Sequence, residues 1–151
     1  MNISFVIITG GTKTSHLTRL VKSIFLQKIP NYEILIVGNT EPLGKNLDTR
    51  KVVFELATKI PAIEAAKKGE LGVMRNLGCE KAQFENIVIL DDDLLLTKTW
   101  YKNLLKFNKE YDILTCQIRV PDGGRYWDHA CYQSPKNGHV TLEADEEDDY
   151  L

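Results

Sequence analysis

The amino-acid sequence predicts an α/β domain with a mainly parallel sheet, and three observations carry that expectation. Short β-branched apolar runs alternate with segments of helical periodicity. The first strand–helix–strand unit closes in under 40 residues, and the strongest apolar runs stop at Gly10-Gly11, Gly38-Asn39 and Asp91-Asp92-Asp93. With 151 residues, 43% hydrophobic and 26% charged, the chain has the apolar content of one domain with its own core.

Ile3 to Thr9 reads as a strand buried on both faces, because it is a continuous apolar run with no polar alternation. Leu17, Leu20, Val21, Ile24 and Phe25 then recur at helical spacing, with Thr14 or Ser15 as N-cap and Pro30 beyond the end. Tyr32 to Val37 is the second strand, and the right-handed crossover rule makes it a parallel neighbour of the first. Lys51 to Leu56 is a weaker third strand, broken by Ile60-Pro61, and Ala62 to Gly69 fits a helical turn or a loop. Gly72 to Gln83 is expected to be helical through Val73, Met74, Leu77 and Ala82. Asn86 to Leu90 is the most buried-looking strand. A helix from about Lys98 and a fifth strand from Tyr111 to Ile118 follow. Beyond Ile118 the pattern turns irregular, so the core is assigned to residues 1–118 and a separate segment to 119–151.

Charge and cysteine content narrow the function classes. Nineteen Lys and Arg against 21 Asp and Glu give −2, which provides no basic field for nucleic acid or an anionic membrane. Six of the acids lie in the last nine positions, and without them 19 basic residues face 15 acidic ones, a balance suited to an anionic small molecule. Cys79, Cys116 and Cys131 are odd in number and form no C-x-x-C pair, which points to a reducing, cytoplasmic setting rather than a disulfide framework or zinc ribbon. No apolar run reaches the roughly 18 residues of a membrane span.

Three carboxylates, Asp91, Asp92 and Asp93, follow an apolar strand with no intervening turn. Ligands of open α/β sheets bind at the carboxyl ends of the strands, and adjacent acids there suit a hard cation, Mn²⁺ or Mg²⁺. The competing reading is a helix N-terminus, where acids complement the dipole. Gly72-Val73-Met74-Arg75-Asn76-Leu77-Gly78 adds close-approach glycines and a guanidinium fork suited to phosphate or a base edge, or else it is a solvated helix face. The loop Thr9 to Thr14 departs from a phosphate-binding P-loop, since Thr12 precedes Lys13 where that motif has Gly. His16 reads as a surface residue. His129 or His139 could complete a metal site or be structural, and Tyr126 and Trp127 could stack on a sugar or fill a core.

Together these pieces resemble the nucleotide-binding half of a family 2 glycosyltransferase with the GT-A fold. The resemblance rests on Ser4 to Thr9, the Ser23-to-Gln27 ending of the first helix, Tyr32 to Val37, Gly72 to Gly78, and Ile89 to Asp93 as a DXD motif. It implies a Rossmann-like three-layer α/β/α sandwich and a UDP- or GDP-sugar donor. Thr9, Asn39, Arg75, Asp91 and Asp92 would bind the nucleotide-sugar, with Asn39 where the family usually has a base-reading Asp. Asp93, with Asp91, would hold Mn²⁺ or Mg²⁺. The acceptor, a glycan, lipid or protein, is not specified, and homo-oligomerisation is left open.

The family's catalytic base comes from a later acceptor-binding half, and Glu147-Asp148 makes Asp148 the candidate in this chain. Residues 119–151 are otherwise expected to be a connection cut short before that half. Two alternatives remain: a non-catalytic nucleotide-binding or assembly module on the same fold, and a P-loop-like NTPase dependent on Lys13.

Overall fold

The computed structural model describes residues 1–43, 53–107, 112–114, 116, 118–124, 130–134 and 138–142. They fall into two compact units, Met1–Tyr101 and Lys102–Leu151. The first unit holds β1 (Asn2–Thr9), α1 (Thr14–Phe25), β2 (Asn31–Gly38), β3 (Thr58–Pro61), α2 (Ile63–Lys68), α3 (Leu71–Lys81) and β4 (Asn86–Asp91). The helix α4 (Trp100–Phe107) begins at its end. In the second unit β5 (Ala130–Ser134) and β6 (Gly138–Leu142) pair antiparallel.

The first unit's sheet has the order β3-β2-β1-β4 with every neighbouring pair parallel. Every residue of β1 from Ile3 to Thr9 is buried, as its unbroken apolar run predicts. On one face Val6, Ile8, Leu35 and Val37 pack with Ala65 of α2 and Met74 of α3. On the other, Phe5 meets Tyr32 edge-to-face at 6.2 Å between centroids and Trp100 at 5.9 Å, while Phe25 of α1 lies 6.4 Å from Tyr32. Helices thus cover both faces, giving the expected α/β layering.

Several local expectations are corrected. Residues 53–55 are helical, and the third strand is Thr58–Pro61. Pro61 closes that strand instead of breaking the chain, because among the described residues β3 is an edge strand, where a proline costs no ladder bond on its open side. Of the two readings left open for Ala62 to Gly69 the helical one holds: residues 63–68 are a helix that ends at Gly69 in the left-handed conformation, φ 69°. Strand β4 is the sheet's other edge among the described residues, with Ile87 38% and Ile89 45% exposed, so its apolar run does not mark a central strand. Val73 faces solvent, and only Met74 and Gly78 of α3 are buried. Lys13, not Thr14 or Ser15, occupies the N-cap of α1, and Thr14 is already helical. The described residues of 112–118 lie in no strand; Tyr111, Thr115 and Gln117 fall outside the described set.

Two side-chain networks fix the connections that lead to the strand ends. The buried Ser4 hydroxyl donates to Glu33 at 2.6 Å and accepts from the Phe84 amide, while Glu33 also accepts from the Gln83 amide. These bonds join the α3–β4 turn to the middle of the sheet. Ser23 of α1 accepts from the Leu96 amide, and Gln27, just past the end of α1, donates to the Thr97 carbonyl at 2.9 Å and accepts from the Tyr101 amide at 3.1 Å. The chain beyond Asp93 is thereby tied to α1 by the Ser-x-x-x-Gln pair.

Candidate functional site

The parallel register sets Ile8 of β1 beside Asp91 of β4, so Thr9 and the three aspartates converge at adjacent carboxyl ends. The chain leaves β4 in a turn closed by the Leu94 amide on the Asp91 carbonyl, and the next helix starts only at Trp100. This excludes the helix N-terminus reading of the acidic cluster. Because the strand stops at Asp91, the three carboxylates take separate partners instead of alternating along an extended chain.

Asp92 is buried and accepts a 2.6 Å hydrogen bond from the Thr9 hydroxyl. The same hydroxyl accepts from the Gly11 amide at 3.0 Å. Asp93 pairs with Lys13, Nζ 2.5 Å from Oδ2, and Asp91 pairs with Arg75 of α3 at 3.3 Å. The Lys13 hydrogen bond holds the Asp93 carboxyl below the usual carboxylate range, against the opposing effect of burial. In turn, Lys13 is held above the usual lysine range by that hydrogen bond and the Asp93 charge, with smaller contributions from Asp92 and Asp91. Its ammonium therefore marks a point where the field of all three carboxylates favours a cation.

Thr9, Lys13, Met74 and the three aspartates line a cavity of about 190 Å³. A wider groove of about 580 Å³ lies at the ends of β2 and β3, lined by Asn39, Glu41, Pro61, Ile63 and Lys67 among others. The backbone N–H of Asn39, which lines the groove, donates to the carbonyl of Thr9, which lines the smaller cavity, at 3.0 Å. Two glycines permit this closeness. Gly11 has φ 81°, and a Cβ there would lie 2.7 Å from the Asn39 carbonyl oxygen. Gly38 has φ 130°, and its Cβ would lie 2.1 Å from the Thr9 carbonyl oxygen.

The structure thus brings Thr9, Asn39, Arg75, Asp91, Asp92 and Asp93 to one end of the sheet. Asp148, His129, Tyr126 and Trp127 lie outside the described residues, and His139 is described only as backbone of β6. His16 is half-buried rather than a surface residue, its Nδ1 enclosed without a hydrogen-bond partner among the described residues. Lys13, weighed in the sequence only against the P-loop motif, enters the site as the partner of Asp93 instead. Nothing in the local sequence signals a pairing across 80 positions.

Among the described residues no three His, Cys, Asp or Glu side chains are grouped so as to hold a metal ion by themselves. The donor chemistry nevertheless fits a hard cation, which takes one or two carboxylates and fills its shell with water and phosphate oxygens. Asp93 and Asp91 are both about half exposed and can supply those oxygens.

Comparison with known proteins bears on the same residues. The model of the glycosyl transferase family 2 matches residues 4–148, nearly the whole chain. The crystal structure of S. aureus TarS 1-349 is similar in fold, with a TM-score of 0.60 at 20% identity. The match covers 91% of this chain and 43% of that one, so the chain spans less than half the length of this structural relative. No curated protein matches.

Proposed function

The chain belongs to glycosyl transferase family 2, and from that premise we propose that it binds a nucleoside-diphosphate sugar at the carboxyl ends of β1, β2 and β4 for transfer of the sugar to an acceptor. The observation that carries this reading is the convergence of Asp91, Asp92 and Asp93 with Thr9 and Arg75 beside a groove headed by Asn39. In this reading the base lies in that groove, against Pro61 and Ile63, with the Asn39 amide at its polar edge. An amide both donates and accepts, so it can serve a uracil or a guanine edge.

The diphosphate enters the smaller cavity, beside the Arg75 guanidinium and the Asp93 carboxylate. Thr9 and Asp92 act as a buried brace that fixes the turn carrying Asp93. Asp93, with Asp91, would hold Mn²⁺ or Mg²⁺, which supplies charge neutralisation for the departing diphosphate. Transfer also needs a base for the acceptor hydroxyl; the sequence candidate, Asp148, lies outside the described residues. The P-loop-like NTPase reading falls away with the family assignment.

Thermal shift with UDP and GDP, each with and without Mn²⁺, tests the binding reading, since a specific ligand raises the melting temperature by mass action. A shift that requires Mn²⁺ and disappears in Asp93→Ala supports it. A nucleotide response indifferent to both metal and substitution overturns the proposed site. Nucleotide binding without sugar transfer or donor hydrolysis identifies instead a non-catalytic binding module on the same fold.

A further inference from the structure

Lys13 stands where a helix cap is expected, yet its side chain caps nothing and crosses to Asp93. The pair is open to water, with the lysine side chain 49% and the aspartate 43% exposed. An exposed ion pair of this kind contributes little to folding, so its place in the site calls for another explanation. The ammonium lies against the carboxylate oxygen that the proposed function gives to a divalent cation. One oxygen cannot keep both at close range, because the two cations repel. The flexible four-carbon stem lets the ammonium leave without moving the loop. Once off Asp93 it remains in the cavity that Lys13, Gly10 and the aspartates line, where a bound diphosphate would be its nearest new anion.

We propose that Lys13 is an exchangeable counter-ion: it occupies Asp93 in the donor-free chain, yields that carboxylate to a divalent cation, and then holds the donor's diphosphate. The proposal rests on the reading of Asp93 as a cation ligand and goes beyond it by assigning Lys13 opposite effects on the two binding steps. Lys13 opposes cation binding to the bare chain and favours nucleotide binding to the cation-loaded chain. A lysine serving only the fold would produce neither change.

The test uses the full chain and its Lys13→Met, Lys13→Gln and Asp93→Asn variants. Mn²⁺ alone is titrated in and read by loss of the free-ion electron paramagnetic resonance signal. UDP and GDP are then titrated calorimetrically in saturating Mn²⁺. The expected result is several-fold tighter Mn²⁺ binding in Lys13→Met together with several-fold weaker nucleotide binding, reproduced by Lys13→Gln should the first variant fold poorly. Unchanged or weaker Mn²⁺ binding in the lysine variants, while Asp93→Asn abolishes it, overturns the exchange and leaves the cation site standing. Mn²⁺ binding that is absent throughout, or indifferent to Asp93→Asn, overturns the cation site and the exchange with it.

Discussion

The Thr9 hydroxyl and the Asp92 carboxylate meet at 2.6 Å across 83 positions of sequence, and both side chains are buried. The hydroxyl also accepts from the Gly11 amide, so one oxygen ties the end of β1, the following loop and the turn after β4. Replacing Thr9 by Val keeps the shape but leaves a buried carboxylate without its donor, which costs about 1–3 kcal/mol. The expected outcome is a lower urea midpoint with an unchanged m-value, together with weaker UDP or GDP binding. Thr9→Ser, which retains the hydroxyl, should recover most of both losses.

Gly78 is where α3 comes down onto the sheet. A Cβ there would lie 2.2 Å from Val6 Cγ1 and 3.2 Å from Val37 Cγ2, both on fully buried side chains. Gly78→Ala therefore forces the helix outward despite alanine's better helix propensity, with an expected loss of about 1–3 kcal/mol from overpacking. Because Met74 and Arg75 ride on the same helix, nucleotide affinity should fall with it. A compensating Val6→Ala in the Gly78→Ala background should restore part of the stability, measured by chemical denaturation as a double-mutant cycle.

These two contacts also separate what the sequence discloses from what it hides. The continuous runs Ile3 to Thr9 and Tyr32 to Val37 announce buried parallel strands because burial on both faces removes polar alternation. The same kind of run misleads at Asn86 to Leu90, since an apolar segment does not say whether a neighbour covers its second side. Pro61 misleads in the opposite sense, because a breaker in the chain is harmless at a sheet edge. Asp91 to Asp93 stand out in sequence as three acids after a strand, but their partners Arg75, Thr9 and Lys13 are chosen by the register of β1 against β4 and the descent of α3. Long-range pairings of single polar side chains carry no periodicity and leave no local mark.

Tyr32 offers a pH-dependent check on the face of the sheet opposite α3. Burial beside Phe5 and Phe25 raises its phenol above the usual tyrosine range of about 10. The fold therefore favours the neutral form. Its contribution to stability is complete below the unfolded-state value and is lost as pH rises through the folded-state value. Absorbance at 295 nm should show one of the six tyrosines ionising later in the native chain than in urea. Tyr32→Phe should remove that late component; an unchanged native titration would count against the packing described for this face.

Gln27 tests whether α1 governs the position of the acidic turn. Its amide donates to the Ser23 and Thr97 carbonyls and accepts from the Tyr101 amide, while Ser23 accepts from the Leu96 amide. The segment that follows Asp93 is thus hydrogen-bonded at three of its residues to the C-terminal end of α1 and the turn just after it. Gln27→Leu preserves the bulk and removes the Gln27 bonds while leaving the Ser23–Leu96 bond, at an expected cost of about 1 kcal/mol in global stability. The larger effect should be local, with faster hydrogen exchange at the Tyr101 amide and weaker Mn²⁺-dependent nucleotide binding. The amide protons of β1 should retain their protection, since they sit in the central ladder. Exchange that quickens equally in β1 and at Tyr101 would mean that Gln27 supports the fold as a whole and not the placement of Asp93.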